Sequence, residues 1–441
     1  MGELIRQLDL SDIIFSGYGF TIGADIFALL PYIVKNAKGY TWLAFLIGGF
    51  ISLSTGLSYV RSNLDYPSND AEYTWIRESF KIKEPKNESD RFINKAIDIF
   101  AFVVIWAVII LGITMSAVMV ISINHFLKNM NINLPDKLFN LLIVLVPTLL
   151  NFLDVKKMSI ANMIVTIITS VTLISLPFLS MFKNTHIDEL KPKSIERHSL
   201  INIIKAIGIT ILPYNGYQSV VQMSEEVKDI KNIPKGLIIS GGMAIILYTL
   251  LSVGVISILG VNKTSNSKNP ISDAFSVFFG NKTMYIVNLV AVLTGFTTLL
   301  LGIYSRSRLL SKLSELNIAP KLFSNYGVNI SNNRFFSGIP VYSIIALSIL
   351  CYLCTLFKEN SLEFFTDITN LLTFFVFICV NLGVIYNFYK NKNNDEKSTK
   401  EKYKNSLDRI TSSYPIYAII GCVILIILFI KSLKELKDLI V

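Results

Sequence analysis

Charge is what this chain has least of. Asp, Glu, Lys and Arg make up 16% of its 441 residues, where a soluble protein averages about 25%. Hydrophobic residues make up 52%, and the mean hydropathy is +0.53. Apolar runs near the ~20 residues that cross a bilayer recur from end to end, which excludes a soluble domain on a single anchor. Histidine is scarcer still. His125, His186 and His198 fall at loops or segment ends, and neither H-E-x-x-H nor G-x-S-x-G occurs. An integral membrane enzyme needs a convergent polar constellation, so no catalysis is expected. Cys351, Cys354, Cys379 and Cys422 all lie in apolar segments. Cys351 and Cys354 are spaced like a CxxC, but zinc takes about four ligands and no second pair follows. They read as small packing residues, and no metal or cofactor is expected. Met1 to Asp12 carries both signs of charge, and no small-residue cleavage site follows the first apolar run. The first segment is therefore expected to be retained.

What the chain does have is eleven apolar segments, at roughly 12–35, 41–66, 94–126, 137–153, 159–182, 200–222, 236–260, 282–311, 339–358, 362–388 and 412–432. The third and eighth exceed one bilayer thickness and are expected to tilt or project. A short amphipathic stretch, Ile271 to Phe279, reads as a helix lying at the membrane interface. The net charge of +10 is not a nucleic-acid signal, because the lysines and arginines cluster in particular loops. The loop after segment two carries Arg77, Lys81, Lys83, Lys86, Arg91 and Lys95. The loop after segment eight carries Lys312, Lys321 and Arg334, with Arg306 and Arg308 at the helix end. The polar loop 391–408, after segment ten, adds five more lysines and reads as a flexible linker. By the positive-inside rule the even loops and the N-terminus are cytoplasmic. An odd count then leaves the C-terminus outside, against which Lys431, Lys434 and Lys437 argue. The expected partners are membrane lipid and a small solute, with no nucleic acid; nothing in the sequence speaks to oligomeric state.

Two segments are interrupted. Segment one contains Ser16 to Pro31, S-G-Y-G-F-T-I-G-A-D-I-F-A-L-L-P, with Gly17, Gly19 and Gly23 followed by Asp25. Glycine loosens a helix, and a carboxylate at bilayer depth is costly without a partner. Segment six carries Pro213 and Gly216 near its centre, which predicts an unwound Pro213-Tyr214-Asn215-Gly216. Segments one and six each open a run of five, and an odd number of crossings inverts the second run. Interrupted segments at matching places in two halves point to a transporter's central site. Unwound turns there expose N–H groups that favour anions and carbonyls that favour cations.

These residues also resemble the amino acid–polyamine–organocation transporter superfamily over segments one to ten. Ile22-Gly23-Ala24-Asp25-Ile26-Phe27 is similar to the family's G-S/A-G-I-F turn. Tyr59, Pro67, Glu72 and Tyr73 follow Y-x-E-L…P-x-A-G-G-E-Y, with Arg61 at its first glutamate and Asn69-Asp70-Ala71 at its A-G-G. Asn151 to Lys156 resembles N-x-x-G-V-K. Tyr214-Asn215-Gly216, Glu225-Glu226-Val227-Lys228 and Ile233-Pro234 resemble F/Y-x-G…E-E-x-K-N-P…I-P, and Ser307-Arg308 with Pro320 resembles S-R…D-G-x-x-P. The resemblance implies an all-α polytopic membrane protein. Its core is a five-plus-five inverted repeat with discontinuous helices 1 and 6, in eleven spans where members usually have twelve. The parts are a cytoplasmic N-terminus (1–11), a first repeat (12–182), an outer loop (183–199), a second repeat (200–388), a linker (389–411) and a peripheral helix (412–441). It implies a permease that moves amino acids or related organic amines by alternating access in the plasma membrane. The alternatives are a polyamine or cationic-amine transporter using Asp25, a solute sensor without flux, or an integral membrane enzyme.

The resemblance also implies site residues. Gly23, Ala24 and Asp25, flanked by Ile22 and Ile26, face a substrate carboxylate. Leu212, Tyr214, Asn215 and Gly216 line the amine side and the gate, and Gln218 stands where many relatives carry a glutamate. Asp25 departs from the pattern, replacing the turn's second glycine. A carboxylate there repels a substrate carboxylate. Three readings stay open: Asp25 meets the amine of a cationic substrate, as an aspartate does in amine-transporting relatives of this fold; it is a proton site; or it turns away and caps the second half-helix. The coupling ion is H+ or Na+. Some proton-coupled members carry a lysine in segment five, which has none here, with Thr169 near its place. Thr297 and Thr298 are candidate sodium ligands in segment eight. Asp98 reads as hydrated, and Glu363 and Asp367, four apart, read as interfacial acids sharing one face of segment ten.

Overall fold

The computed structural model describes residues 6–66, 68–153, 155–183, 185–190, 197–324, 339–357, 361–393 and 415–440. Pro67, Asp154, Arg334 and the stretch 394–414 lie outside the described residues. So do the side chains of His198, Glu225, Glu363, Lys392, Lys434 and Lys437.

Each apolar segment becomes one helix or one broken pair. Segment one is α1 (Leu10–Thr21) and α2 (Asp25–Ala37), and segment two is α3 (Thr41–Asp65). After the short α4 (Ala71–Phe80) come α5 (Glu88–Asn129), α6 (Asp136–Leu150) and α7 (Val155–Ser180). Segment six is α8 (Arg197–Thr210) and a 3-10 helix, Tyr217–Glu226. Then follow α9 (Asn232–Leu259), α10 (Val261–Asn266), α11 (Pro270–Phe279), α12 (Thr283–Glu315), α13 (Val341–Cys354), α14 (Ser361–Asn393) and α15 (Ile416–Ile440). The chain is all-α: among the described residues the only extended pairing is an isolated parallel bridge between Leu8 and Val227. Seven of the described helices are long and apolar enough, by length and composition, to cross a membrane. At about 1.5 Å per residue, the 42-residue α5 is about twice as long as a bilayer core is thick. Leu141, Leu142, Leu145, Val146 and Leu149 are exposed on α6. Water would not tolerate such a stripe, and lipid does.

The breaks differ from the sequence reading in detail. Only Gly23 of the three early glycines falls at the first break; Gly17 and Gly19 lie inside α1. There they let neighbours approach: a Cβ on Gly17 would lie 2.8 Å from Ser240 Oγ, and one on Gly19 2.3 Å from Thr166 Oγ1. The second break is longer than expected. α8 stops at Thr210, because Pro213 denies an N–H, clashes one turn back and disfavours helix in the residue before it. The amides of Ile211 and Leu212 instead reach three residues back, at 3.4 and 3.3 Å, and the second half continues as a 3-10 helix. The amphipathic stretch does form a helix, α11, but its apolar residues Ile271, Ala274 and Phe275 are buried against α2, α9 and α12. It closes over the bundle rather than lying apart from it.

α1 and the 3-10 helix sit together at the centre, packed on α9, α7 and α12. α3 packs against α9, and α5 lies between α12 and α14. α15 covers α14 and α3. Tyr214, Tyr217, Tyr248, Phe27 and Phe45, on or against the two broken segments, are fully buried.

Candidate functional site

The two breaks touch. Gly216 has φ +142, a conformation that side chains rarely adopt, and a Cβ there would lie 2.6 Å from the Phe20 ring and 2.8 Å from the Phe20 carbonyl oxygen. Only glycine fits where segment six crosses the end of α1.

At the first break α1 ends with Ile22 N–H donating to the Tyr18 carbonyl (2.9 Å) and Gly23 N–H to that of Thr21 (3.0 Å). The chain re-enters helix at Asp25, so Asp25 stands in the first turn of α2, where N–H groups point outward. Its carboxylate folds back onto them. Oδ1 accepts from the Ile26 amide at 2.9 Å, and the amides of Asp25 and Gly23 also face it. A Cβ on Gly23 would be 2.7 Å from that oxygen and 3.2 Å from Met119 Sδ. Asp25 is 1% exposed, and its Oδ2 is buried with no hydrogen-bond partner. Ile22, Ala24 and Ile26 are fully buried, with Ala24 against Gly295 on α12. Tyr248 lies close enough to feel the Asp25 charge and donates to the Thr21 carbonyl at 2.9 Å. Its ring is 5.3 Å from that of Tyr214 and 5.8 Å from that of Phe45, forming an aromatic wall.

At the second break the polar groups are used up internally. Gln218 Oε1 accepts from the Gly216 amide (2.9 Å), and its Nε2 donates to Asn215 Oδ1. Asn215 Nδ2 donates to Thr373 Oγ1 on α14 at 2.8 Å. Tyr214 donates its hydroxyl to the Phe45 carbonyl at 2.9 Å, and Leu212 is buried. Gln218 thus staples the turn rather than presenting a free group.

The two threonines of segment eight separate. Thr298 Oγ1 lies 3.4 Å from the Gly19 carbonyl and 3.5 Å from that of Ile22, both freed as α1 ends. Thr297 Oγ1 turns back to the Thr294 carbonyl of its own helix at 2.9 Å. Thr298 Oγ1 also bonds the Thr294 carbonyl, at 3.1 Å, and of the two threonines it is Thr298 that nears the end of α1. Among the described residues no group of three or more His, Cys, Asp or Glu could hold a metal. Thr169 shares a hydroxyl contact of 2.6 Å with Thr294 of α12. The expectation of a lysine-free segment five fails at one end. α7 starts at Val155 and takes Lys156 and Lys157 into its first turn, where Lys156 pairs with Asp12.

Other charges correct the sequence reading. Arg306 and Arg308, read at the end of segment eight, lie inside α12, which runs on to Glu315, and they are buried at 4% and 3% exposure. Arg306 Nη1 donates to Gln222 Oε1 at 2.5 Å, while Arg308 stacks 3.7 Å over the Tyr304 ring and lies 3.6 Å from Glu226. Asp98 pairs with Arg77 at 2.7 Å and Lys81 at 2.6 Å. The N-terminal residues are tied to the end of the 3-10 helix: Glu226 O accepts the Gln7 and Leu8 amides at 2.9 and 3.0 Å, and Lys228 pairs with Asp9 at 2.9 Å. Sequence reasoning missed Tyr248, Met119 and Gln222, which carry no motif. Arg306 had a signal, since the apolar pattern continues through Leu309, Leu310 and Leu313 beyond it.

The comparisons with known proteins agree on the kind of molecule. A solved structure, that of MhsT in complex with L-phenylalanine, superposes with a TM-score of 0.65 over 98% of this chain and all of that one, at 12% identity. That likeness shows the fold. An uncharacterized transporter of Mycobacterium tuberculosis is 22% identical over 311 residues, 68% of this chain and 64% of that protein, so the match spans less than two thirds of its length. The branched-chain amino acid permease BcaP of Bacillus subtilis is 23% identical over 342 residues, 72% of this chain and 69% of BcaP. A family model for amino acid permeases matches residues 8–435, nearly the whole sequence, and the chain belongs to that family.

Proposed function

We propose that this chain is a secondary active transporter that moves an organic amine, an amino acid or a relative of one, across the plasma membrane by alternating access. The N-terminus is cytoplasmic, and the two five-segment repeats, 12–182 and 200–388, enclose the site. Family membership supports the transport role, and the contact between Gly216 and Phe20 supports a site built from both breaks. Ile22 to Ile26 form one side of it; Leu212, Tyr214, Asn215, Gly216 and Gln218 form the opposite side. No covalent chemistry is needed.

One observation carries the choice of substrate: Asp25 Oδ1 occupies the amide cradle of α2, while Oδ2 is buried and unpartnered. An α-amino acid would bring its own carboxylate to those amides. Here the protein's carboxylate is already there, and a second would be repelled at low dielectric. An ammonium group at Oδ2 satisfies the orphan acceptor and neutralises the charge. The substrate reading is therefore a cationic amine or polyamine, with the Phe45–Tyr214–Tyr248 wall receiving its apolar part. The coupling ion is Na+, held by Thr298 Oγ1 with the Gly19 and Ile22 carbonyls; a proton on Asp25 is the competing choice.

Counterflow in proteoliposomes tests this, with a panel of radiolabelled mono- and diamines, cationic amino acids and neutral amino acids, with and without sodium. Saturable amine exchange is expected. Exchange confined to neutral amino acids would reject the substrate reading, and binding without exchange would make the protein a sensor.

A further inference from the structure

Between the site and the N-terminal face of the bundle lies a buried charge arrangement that substrate binding does not use. Arg306 of α12 and Glu72 of α4 are 4% and 2% exposed. They sense each other electrostatically, yet no ion pair within 4.0 Å joins them. Gln222, on the 3-10 helix that continues from the second break, stands between. Its Oε1 takes the Arg306 Nη1 hydrogen at 2.5 Å, and its Nε2 end faces Glu72 short of a formed hydrogen bond. Ser219, on the same helix, lies 3.5 Å from Arg306 Nη2. The charges are left incompletely satisfied: Arg306 Nε, Glu72 Oε2 and Gln222 Nε2 all lack partners. Tyr59 of α3 supplies Glu72's one formed side-chain bond, at 3.1 Å.

Buried opposite charges that do not meet are costly, and a direct pair with good geometry recovers part of that cost. The amide that separates them belongs to the helix running on from Gly216. The charges belong to α4 and α12, and the Arg306 stem lies flat on Gly112 of α5, where a Cβ would be 2.6 Å from Nε. We infer that Gln222 is a positioning residue that holds Arg306 and Glu72 apart while the N-terminal face is closed. Withdrawal of the 217–226 helix lets the two charges pair directly. Amide-bridged and directly paired are then the two states of an inner gate, and the direct pair leaves the opened path without net charge. This inference rests on the alternating-access reading above.

Paired spin labels at Glu84→Cys and Asp229→Cys, both exposed, report the opening as a distance distribution in reconstituted full-length protein whose native cysteines are replaced by serine. In the parent protein, two distance populations that exchange weight on adding substrate are expected. If there is only one, alternating access itself fails. Gln222→Leu removes the separating amide and should move the ratio toward the longer distance by about fivefold or more. Gln222→Glu offers Arg306 a carboxylate from the moving helix and should move it the other way. Adding Glu72→Gln to Gln222→Leu should abolish the shift, which loss of packing alone would not do. A parent that alternates while both Gln222 variants keep its ratio would overturn the inference, as would a Gln222→Leu shift that survives Glu72→Gln.

Discussion

The two breaks use the same device to opposite ends. At the first, a buried carboxylate oxygen is left with nothing to bind. At the second, Asn215, Gly216 and Gln218 satisfy one another and Thr373. Leaving a buried acceptor unsatisfied costs about 1–3 kcal/mol, and more when it is charged, so the first break is maintained against a cost and the second is not. The unsatisfied break is where a solute has something to gain. The stapled break is built to keep its shape, and the 3-10 helix beyond it reaches toward the Arg306–Glu72 gate.

The comparison breaks most severely at Gly216. Gly216→Ala adds a Cβ against the Phe20 backbone at φ +142, and a loss of several kcal/mol is expected, read as a sharp fall in detergent-solubilised melting temperature. Next is Asp25→Asn. It removes the charge that an ammonium would meet, so kcat/KM for amine exchange should fall by about 100-fold, as for truncating one partner of a buried charge pair. Its melting temperature should hold or rise, because the uncompensated carboxylate is gone. Gln218→Ala should do the reverse: it orphans the Gly216 amide and Asn215 Oδ1, costing about 1–3 kcal/mol of stability, with kcat changed more than KM. Thr298→Ala should raise the sodium concentration for half-maximal exchange while Thr297→Ala leaves it in place; equal effects would remove the proposed sodium site.

The smallest effect expected is on pH. Burial pushes the Glu72 carboxyl above the usual carboxylate range, and the Arg306 charge opposes that shift. Tyr59 and Gln222 also face it, and Tyr217 adjoins Tyr59. A raised value favours the protonated form in the amide-bridged state; a direct Arg306 contact favours the ionised form. Acid should therefore populate the closed state and alkali the open one, and Glu72→Gln should flatten that dependence in the spin-label distances.

Much of the fold was readable in the sequence because lipid enforces length. All eleven apolar runs became helices or broken pairs, since a span must satisfy its own backbone. Pro213 announced the second break because a missing N–H acts locally. Other features depend on tertiary contacts. Gly17 and Gly19 look like breakers but serve close packing, which only Ser240, Asn162 and Thr166 reveal. Arg306 and Arg308 were counted with the cytoplasmic charges at a helix end because charge counting assumes exposure, whereas α5 and the 3-10 helix cover them. The site residues of segment six were found by position, yet that Gln218 is a staple follows from its rotamer and not its identity. The three readings of Asp25 could not be separated along the chain, because what a side chain at the break meets depends on how the two half-helices and their neighbours are placed in space.

The claim that Asp25 stands in for a substrate carboxylate is tested most directly by one substitution and one ratio. Asp25→Gly empties the cradle, and counterflow of an amine and of the neutral amino acid with the same side chain is measured side by side. The account predicts that the unsubstituted protein prefers the amine and that Asp25→Gly inverts the preference, gaining the amino acid as it loses the amine. Unchanged amine exchange in Asp25→Gly, or a protein that prefers the amino acid with Asp25 in place, would contradict it.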